Sequence, residues 1–279
     1  MTDAAKSPPR TVASPDGTVI AVFSAGQGPP LVLVHGATAD HTTWRTSDPL
    51  LAARHTTHAI DRRGRGDSGD APGYSIEREY EDLAAVVDAI AAESGGPVDL
   101  VGHSYGGRIG LGAALLTPNL RRLVVYEGAP PPGEGRGYQD AGTLARVEAL
   151  VAAGDRDEAL ATFMRDIVGM PEDDLAAFRV DPIWPRRAAA VGTTIRELRA
   201  EVEPAAAVEA LGAVRQPVLQ ILGGASAAIF GEATRALDAR LRNGRIVTID
   251  GARHAAHHTH ARVFVDAIEA FLADSDMPD

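Results

Sequence analysis

The segment Gly102-His103-Ser104-Tyr105-Gly106 places a serine between two glycines in the spacing G-x-S-x-G, which is typical of a nucleophilic serine on a sharp turn. A largely apolar run, Val98–Val101, precedes it, and a helical pattern, Arg108–Leu116, follows it. The two glycines leave room for the tight reversal, where a Cβ atom would clash. The N-terminus of the following helix favours negative charge that develops beside it. A chance match in a glycine-rich chain is the alternative, and the position between strand and helix favours the nucleophile.

A serine hydroxyl needs a general base, because it is a weak nucleophile near neutral pH. Histidine titrates in that range, and in the chain order serine, acid, histidine the base follows the last strand. His254 comes directly after the strand Ile246–Ile249 and a turn, so it is the predicted base. Three further histidines lie near it, namely His257, His258 and His260. A metal site is the rival interpretation of this cluster, but its spacing is loose and no cysteine accompanies it, so the prediction is no metal.

The elements that must position these residues alternate between strand and helix, which indicates a parallel sheet covered by helices on both faces. The predicted strands are Thr18–Phe23, Leu31–Val34, His58–Ile60, Val98–Val101, Leu123–Tyr126, Pro217–Leu222 and Ile246–Ile249. The predicted helices of this part are Ser75–Glu93, Arg108–Leu116 and two that begin near Glu232 and Ala261. Residues 1–10 are polar and are predicted to be a frayed tail.

The strand pattern is interrupted after Pro130 and resumes near residue 214, with helical segments at 141–153, 156–168, 172–179 and 186–201. The sequence therefore predicts a core made of residues 1–130 and 214–279, and an inserted helical cap, residues 131–213.

Composition limits the partners and the compartment. The chain of 279 residues has 45% hydrophobic residues, a net charge of −11 and no cysteine. An acidic surface disfavours nucleic acid and anionic membranes as partners, and the absence of cysteine excludes disulfides and cysteine nucleophiles. No secretory signal or apolar run of membrane-spanning length is visible, so the expectation is a cytoplasmic monomer or homodimer that acts on a small molecule.

The order of several motifs resembles the α/β-hydrolase superfamily. They are His35-Gly36, Asp61–Ser68, Gly102–Gly107 and Gly251–His254. The resemblance runs from about Val19 to Leu272 except for the cap, and it implies an α/β-hydrolase fold with Ser104 as nucleophile and no cofactor. It says little about the substrate, because this superfamily hosts many chemistries.

The acid of the triad departs from the commoner family arrangement, in which an aspartate follows the strand after the cap. Ser226 stands at that position, and the next carboxylate, Glu232, is expected to open a helix. A second arrangement is known in the superfamily, in which the acid lies just after the strand that follows the nucleophile helix. Glu127 occupies that place, where burial would require a partner such as His254. The prediction is a triad of Ser104, His254 and Glu127; Glu232, another acid or a dyad without an acid remain alternatives.

The resemblance also implies an oxyanion hole made by the backbone N–H groups of Tyr105 and Ala37. Trp44 and Trp184 are candidate substrate-binding residues, as are Phe163, Met164 and Ile183, although core packing explains each of them equally well. Asp61 and Arg63 are expected to brace their loop, with the arginines of that loop paired to Asp61 and Asp67. His103 is expected to be packed, and His35 to order its own loop.

These predictions describe a serine hydrolase that cleaves a carboxylic ester or lactone of a small, largely apolar molecule. The serine argues against haloalkane dehalogenase and epoxide hydrolase chemistry, which by family resemblance uses a carboxylate at that position. The same triad also serves C–C or amide hydrolysis, perhydrolysis and acyl transfer. A third class, a ligand-binding protein or cyclase that uses only the cavity, would lack an intact triad.

Overall fold

The computed structural model of the chain describes residues 9–133 and 135–274. Its centre is an eight-stranded sheet of order β1-β2-β4-β3-β5-β6-β7-β8, in which β1 and β2 are antiparallel to their neighbours and the others are parallel. The strands are β1 (Arg10–Ala13), β2 (Val19–Ala25), β3 (Pro30–Val34), β4 (Thr56–Ile60), β5 (Val98–His103), β6 (Leu120–Tyr126), β7 (Val218–Gly223) and β8 (Gly244–Ile249).

Helices connect most of the parallel strands. The α-helices are α1 (Asp48–Leu51), α2 (Ile76–Ser94), α3 (Tyr105–Ala114), α4 (Ala141–Ala152), α5 (Arg156–Thr162), α6 (Glu172–Arg179), α7 (Trp184–Ala200), α8 (Val208–Leu211), α9 (Ala228–Asp238), α10 (Ala256–Thr259) and α11 (Ala261–Leu272). Short 3-10 helices occupy His41–Trp44 and Pro204–Ala206, and Phe163–Ile167 is a π-helical turn after α5. No helix in the described part combines the length and the apolar character that a membrane span requires.

Two hydrophobic clusters cover the two faces of the sheet. One contains buried side chains of α2, α3 and α9, and the other contains those of α1 and α11. The central strands β3 and β5 have almost no exposed residue, as expected for strands that are covered on both sides. The predicted α/β-hydrolase fold is therefore confirmed.

Most predicted elements shift by a few residues at their ends, and two differences affect the interpretation. Arg10 belongs to β1, which pairs with β2 from Arg10 opposite Val22 to Ala13 opposite Val19, so the polar start of the chain continues into an edge strand; residues 1–8 lie outside the described residues. Helix α9 begins at Ala228, one turn before Glu232, and Glu232 is exposed on it. The apolar face of that helix, with Phe230 and Ala233 buried, begins before its first carboxylate.

Helices α4 to α7 lie between β6 and β7 in the chain and share a hydrophobic cluster of their own. The last part of the predicted insertion packs differently, because Ala206, Val208 and Leu211 belong to the cluster that contains α2 and α3. The helical insertion is thus tied to the sheet at its C-terminal end.

Buried ion pairs join α7 to the loop after β4. Arg62 Nη2 and Arg65 Nη2 lie 2.7 and 2.6 Å from Glu197 Oε1 on α7, and Arg62 also bonds both carboxylate oxygens of Glu79 on α2. All four side chains are at most 2% exposed. Removing one partner from such a group would leave an uncompensated buried charge, so these pairs fix the C-terminal half of α7 on the core.

The turn after β5 approaches β3 so closely that we expect a side chain added at Gly106 to destabilise the fold. A Cβ atom on Gly106 would lie 2.4 Å from the backbone oxygen of Val34, whereas nothing lies within 4 Å of a Cβ atom on Gly96. We expect Gly106→Ala to lower the free energy of unfolding by about 1–3 kcal/mol and Gly96→Ala to leave it nearly unchanged. Urea denaturation of both variants tests this, and equal stabilities would contradict the packing described.

Candidate active site

Ser104 lies at the junction of β5 and α3 in a strained conformation. Its φ and ψ are 53° and −126°, a region that non-glycine residues rarely adopt. Its N–H donates to the carbonyl oxygen of Tyr126 at 2.8 Å, and its own carbonyl accepts from Gly107 N at 2.9 Å. These bonds hold the turn, and Ser104 itself is partly exposed at the wall of a cavity.

His254 and Glu127 are in direct contact. His254 Nδ1 donates to Glu127 Oε2 at 2.5 Å, and the other carboxylate oxygen of Glu127 accepts from the backbone N–H of Gly223 at 2.7 Å. The Glu127 side chain has no exposed surface. The bond through Nδ1 leaves His254 Nε2 available as a proton acceptor, and Ser104 and His254 line the same cavity. No hydrogen bond joins Ser104 to His254 in this part of the structure, and such bonds are often long without a bound substrate.

Three aromatic or imidazole side chains hold the loop of His254, and of these only His103 is predicted from the sequence, as a packed residue. The Tyr126 hydroxyl donates to the carbonyl oxygen of Arg253 and accepts from Ala256 N, so it bridges both sides of His254. His103 Nε2 donates to the His254 carbonyl oxygen at 2.8 Å. The Phe230 ring stacks on the His254 imidazole, with 4.5 Å between the ring centroids. The sequence signal for Tyr126 is its position beside Glu127, while Phe230 carries no recognisable signal.

Backbone strain is concentrated around this site. Among residues 9–133 and 135–274, the non-glycine residues with positive φ are Thr38, Ser104 and Glu127. They follow β3, β5 and β6, three strands that are neighbours in the sheet. Strained backbone persists where the surrounding structure enforces it, and it clusters at functional sites.

The two alternative positions for the acid differ from Glu127 in exposure or in residue type. Glu232 is exposed on α9, and the Ser226 hydroxyl, where an aspartate would stand in the commoner arrangement, is buried without a hydrogen-bond partner in the described part. A Cβ atom on Gly223 would lie 2.6 Å from Ser226 Oγ, so the serine covers the residue whose N–H binds Glu127.

The loop after β3 approaches the serine closely, since a Cβ atom on Gly36 would lie 2.9 Å from Ser104 Cβ. His35 fixes this loop by donating from Nδ1 to Gly36 O at 2.8 Å and accepting from Arg62 N at Nε2. Burial and the charge of Arg62 keep the pKa of His35 well below its usual value, so the ring is neutral. Ala37 and Tyr105 line the same pocket as Ser104, and their role as oxyanion donors stays a prediction.

A cavity of about 500 Å³ opens beside Ser104 and His254. Its wall combines the loops after β3, β7 and β8 with apolar side chains of the helical insertion. These include three of the predicted pocket residues, Phe163, Met164 and Ile183. Neither Trp44 nor Trp184 is among the described residues that line the cavity: Trp44 is buried with α1 and α11, and Trp184 packs against Phe178 and binds Asp157.

The basic loop after β4 is braced by ion pairs, but its partners differ from the expectation. Arg63 binds Asp82 and Asp16, while Arg62 and Arg65 bind glutamates of α2 and α7. Asp61 instead accepts bonds from His41 and from Asp67 N. Sequence proximity favoured Asp61 and Asp67 as partners, whereas the fold brings carboxylates from distant elements.

One group of possible metal ligands occurs in the described residues, formed by Asp40, His41 and Asp61. Each is engaged otherwise, since Asp40 caps the following 3-10 helix and pairs with Arg186, and Asp61 binds His41. The histidines near the C-terminus do not form such a group; His257 and His258 pack ring against ring at 4.2 Å.

Buried histidines around the cavity are kept neutral. Burial lowers the pKa of His103 and of His257 well below the usual range, with neighbouring imidazoles and Arg187 adding to the effect. Burial and the charges of Arg45 and Arg187 lower the pKa of His258 to about 4, although Asp181 opposes this.

Comparisons with known proteins agree with this architecture. The Alpha/beta hydrolase family matches residues 31–267. The 2-(acetamidomethylene)succinate hydrolase of Mesorhizobium japonicum is 30% identical over 90% of this chain and 90% of its own. A pimeloyl-(acyl-carrier protein) methyl ester esterase of Xanthomonas campestris pv. campestris is 29% identical over 89% of this chain and 96% of its own. An alpha/beta hydrolase of Sphaerobacter thermophilus, known from a crystal structure, is 35% identical with a TM-score of 0.79 over 93% of this chain and 100% of that chain.

The chain therefore belongs to the alpha/beta hydrolase family. Its relatives include hydrolases and esterases, so it is a hydrolase of this family.

The low pKa of His258 predicts a pH-dependent stability difference. The unfolded chain takes up this proton near pH 6.5 and the folded chain only near pH 4, so the wild-type protein loses unfolding free energy as the pH falls through this interval. His258→Gln removes that loss. Allowing for partial solvent exposure, we expect its unfolding free energy relative to wild type to rise by about 1 kcal/mol between about pH 7 and about pH 5. Urea denaturation at both pH values measures this, and a constant difference would show that His258 is not held neutral.

Proposed function

We propose that this protein hydrolyses a carboxylic ester or lactone of a small molecule through Ser104, His254 and Glu127. The observation that carries the proposal is the hydrogen bond between His254 Nδ1 and the buried carboxylate of Glu127, beside a serine on a strained turn. A carboxylate in this place fixes the imidazole tautomer and stabilises the imidazolium that forms during the reaction.

In the proposed reaction, Ser104 Oγ attacks the ester carbonyl carbon while its proton passes to His254 Nε2. The tetrahedral intermediate collapses, and the imidazolium returns the proton to the departing alcohol oxygen, which leaves an acyl-enzyme. Water then attacks the acyl group, again losing its proton to His254, and the carboxylic acid leaves with Ser104 restored. A lactone follows the same steps, and its alcohol remains attached to the product.

The negative charge on the intermediate requires fixed donors. The backbone N–H groups of Ala37 and Tyr105 are proposed for this role because both residues border Ser104 and because Tyr105 begins α3, whose N-terminus favours an anion. The loop of Ala37 is also held rigidly by His35, so these donors need little reorganisation.

The helical insertion, predicted as a cap over residues 131–213, supplies the apolar part of the cavity wall through Phe163, Met164 and Ile183. We propose that this insertion selects the substrate and limits the access of water. The name of one relative, a methyl ester esterase, supports an ester as the bond that is cleaved. The proposed reaction needs only a small-molecule substrate and water.

Covalent labelling tests the nucleophile without knowledge of the substrate. We expect a fluorophosphonate probe to add one label to the wild-type protein, as read by intact mass, and none to Ser104→Ala. Heat-denatured wild-type protein should also stay unlabelled, because the reactivity depends on the assembled site. Equal labelling of the wild-type protein and Ser104→Ala would place the reactive group elsewhere.

The acid is tested by two matched amide substitutions. Glu127→Gln keeps the size of the side chain but removes the charge that stabilises the imidazolium, so we expect kcat on an activated ester to fall by roughly 10²–10⁴-fold. Glu232→Gln makes the same change at the alternative acid on an exposed helix face, and kcat should remain within about twofold, as expected for a surface substitution. The reverse pattern would assign the acid to Glu232.

A further inference from the structure

Three arginines line the cavity beside Ser104, and two of them have a carboxylate partner in the same wall. Arg45 lies 3.5 Å from Asp181, and Arg253 lies 3.7 Å from Asp174. The third, Arg187, has no carboxylate within 4.0 Å in the described part of the chain. The adjacent Arg186 pairs with Asp40, so that carboxylate is already engaged.

Arg187 is held in place by uncharged groups. It extends from the first turn of α7 and donates from Nη1 to Thr38 Oγ1 at 3.3 Å and from Nη2 to Thr43 Oγ1 at 3.0 Å. The Phe178 ring lies 5.9 Å from its guanidinium carbon. A guanidinium carries five N–H donors in a planar fork, so these two bonds orient it and leave the other donors available to a ligand.

Arg187 is half-buried, and four fully buried arginines of this chain show how the fold satisfies a guanidinium group. Arg62, Arg63 and Arg65 each bind carboxylates, and Arg122 donates to three backbone carbonyl oxygens, those of Phe271, Leu272 and Asp274. Arg187 is different, because it combines an ordered side chain, a position in the cavity wall and no anionic partner among the described residues.

The cavity wall around Arg187 holds more arginines than carboxylates. Three arginines and two aspartates line the cavity, so its wall carries an excess of positive charge although the chain as a whole has a net charge of −11. Burial lowers the pKa of Arg187 to about 10; Asp40 and Asp181 oppose this, and the nearby Arg45 and Arg65 add to it. A bound anion would relieve the cost of holding this charge away from water.

We propose that Arg187 binds a carboxylate of the substrate, so that the natural substrate is a small ester or lactone that also carries a free carboxylate group. The guanidinium fork matches a carboxylate in two parallel hydrogen bonds, which fixes the orientation as well as the affinity. Thr38 directly follows Ala37, so the same loop positions the guanidinium and a proposed oxyanion donor. The substrate carboxylate would then set the distance at which the ester carbonyl meets Ser104.

This inference rests on the proposed function, and binding is measured apart from catalysis for that reason. The probes are the monomethyl esters of succinate, glutarate and adipate, with the uncharged dimethyl ester of each acid as its control. In the Ser104→Ala protein, which lacks the proposed nucleophile, calorimetry should show at least one monomethyl ester binding about tenfold more tightly than its dimethyl ester.

Substitutions of two arginines in the cavity wall test whether the tighter binding of the monomethyl ester depends on Arg187. Adding Arg187→Gln to Ser104→Ala should weaken binding of that monomethyl ester by roughly 10–100-fold and leave the dimethyl ester nearly unchanged. Arg187→Lys retains the charge but not the fork, and it should give an intermediate loss. Arg45→Gln removes the same charge from the same cavity, where it is already paired, and should change the ratio of the two dissociation constants by less than about twofold.

The outcomes separate the two proposals. If no monomethyl ester binds better than its dimethyl ester, or if Arg187→Gln and Arg45→Gln weaken binding equally, the carboxylate site is refuted even where Ser104 is labelled and neutral esters are hydrolysed. If carboxylate binding depends on Arg187 while Ser104 remains unlabelled and esters are not cleaved, the hydrolytic function fails and the binding site stands.

Discussion

The hydrogen bond between Glu127 and His254 is the interaction on which the rest of the site depends. A carboxylate without exposed surface at the end of a central strand would be costly unless its charge were met, and here His254 and the N–H of Gly223 meet both oxygens. The strained backbone of Glu127, the two bonds of the Tyr126 hydroxyl and the stacking of Phe230 all serve to keep these two side chains together. The contacts around His254 thus depend on the buried carboxylate of Glu127.

The helix α7 joins the polar framework of the site to the cavity wall. Its C-terminal half is fixed by ion pairs from Glu197 to Arg62 and Arg65, and its first turn holds Arg187 at the cavity. Arg62 also contacts the loop after β3, where its backbone N–H binds His35. One connected set of polar contacts therefore runs from the insertion through the loop after β4 to the loop that carries Ala37. In the proposed reaction, the group bound by Arg187 and the reacting carbonyl would both be positioned by this framework.

The sequence predicts the parts of this site that are local in the chain. The strand, turn and helix around Ser104, the place of His254 after the last strand and the choice of Glu127 over Ser226 all follow from motifs and strand ends, and the structure brings Glu127 and His254 into contact. Ion-pair partners that come together only in the tertiary fold cannot be predicted from local sequence patterns. The arginines of the loop after β4 pair with Glu79, Asp82 and Glu197 rather than with the aspartates beside them in the chain. Trp44 and Trp184 look like pocket residues because of their type, yet packing buries both of them elsewhere.

The position of Glu127, directly after β6 and bonded to His254, has a consequence for the divergence of this protein. The link from β7 to α9 carries only small side chains, and Ala225, Ser226 and Ala227 form part of the cavity wall. Gly223, the last residue of β7, binds the Glu127 carboxylate through its backbone N–H. None of the three side chains of the link bonds to Glu127 or His254 in the described part of the chain, so uncharged exchanges at Ala225 and Ala227 would reshape the cavity wall without removing a partner of the imidazole.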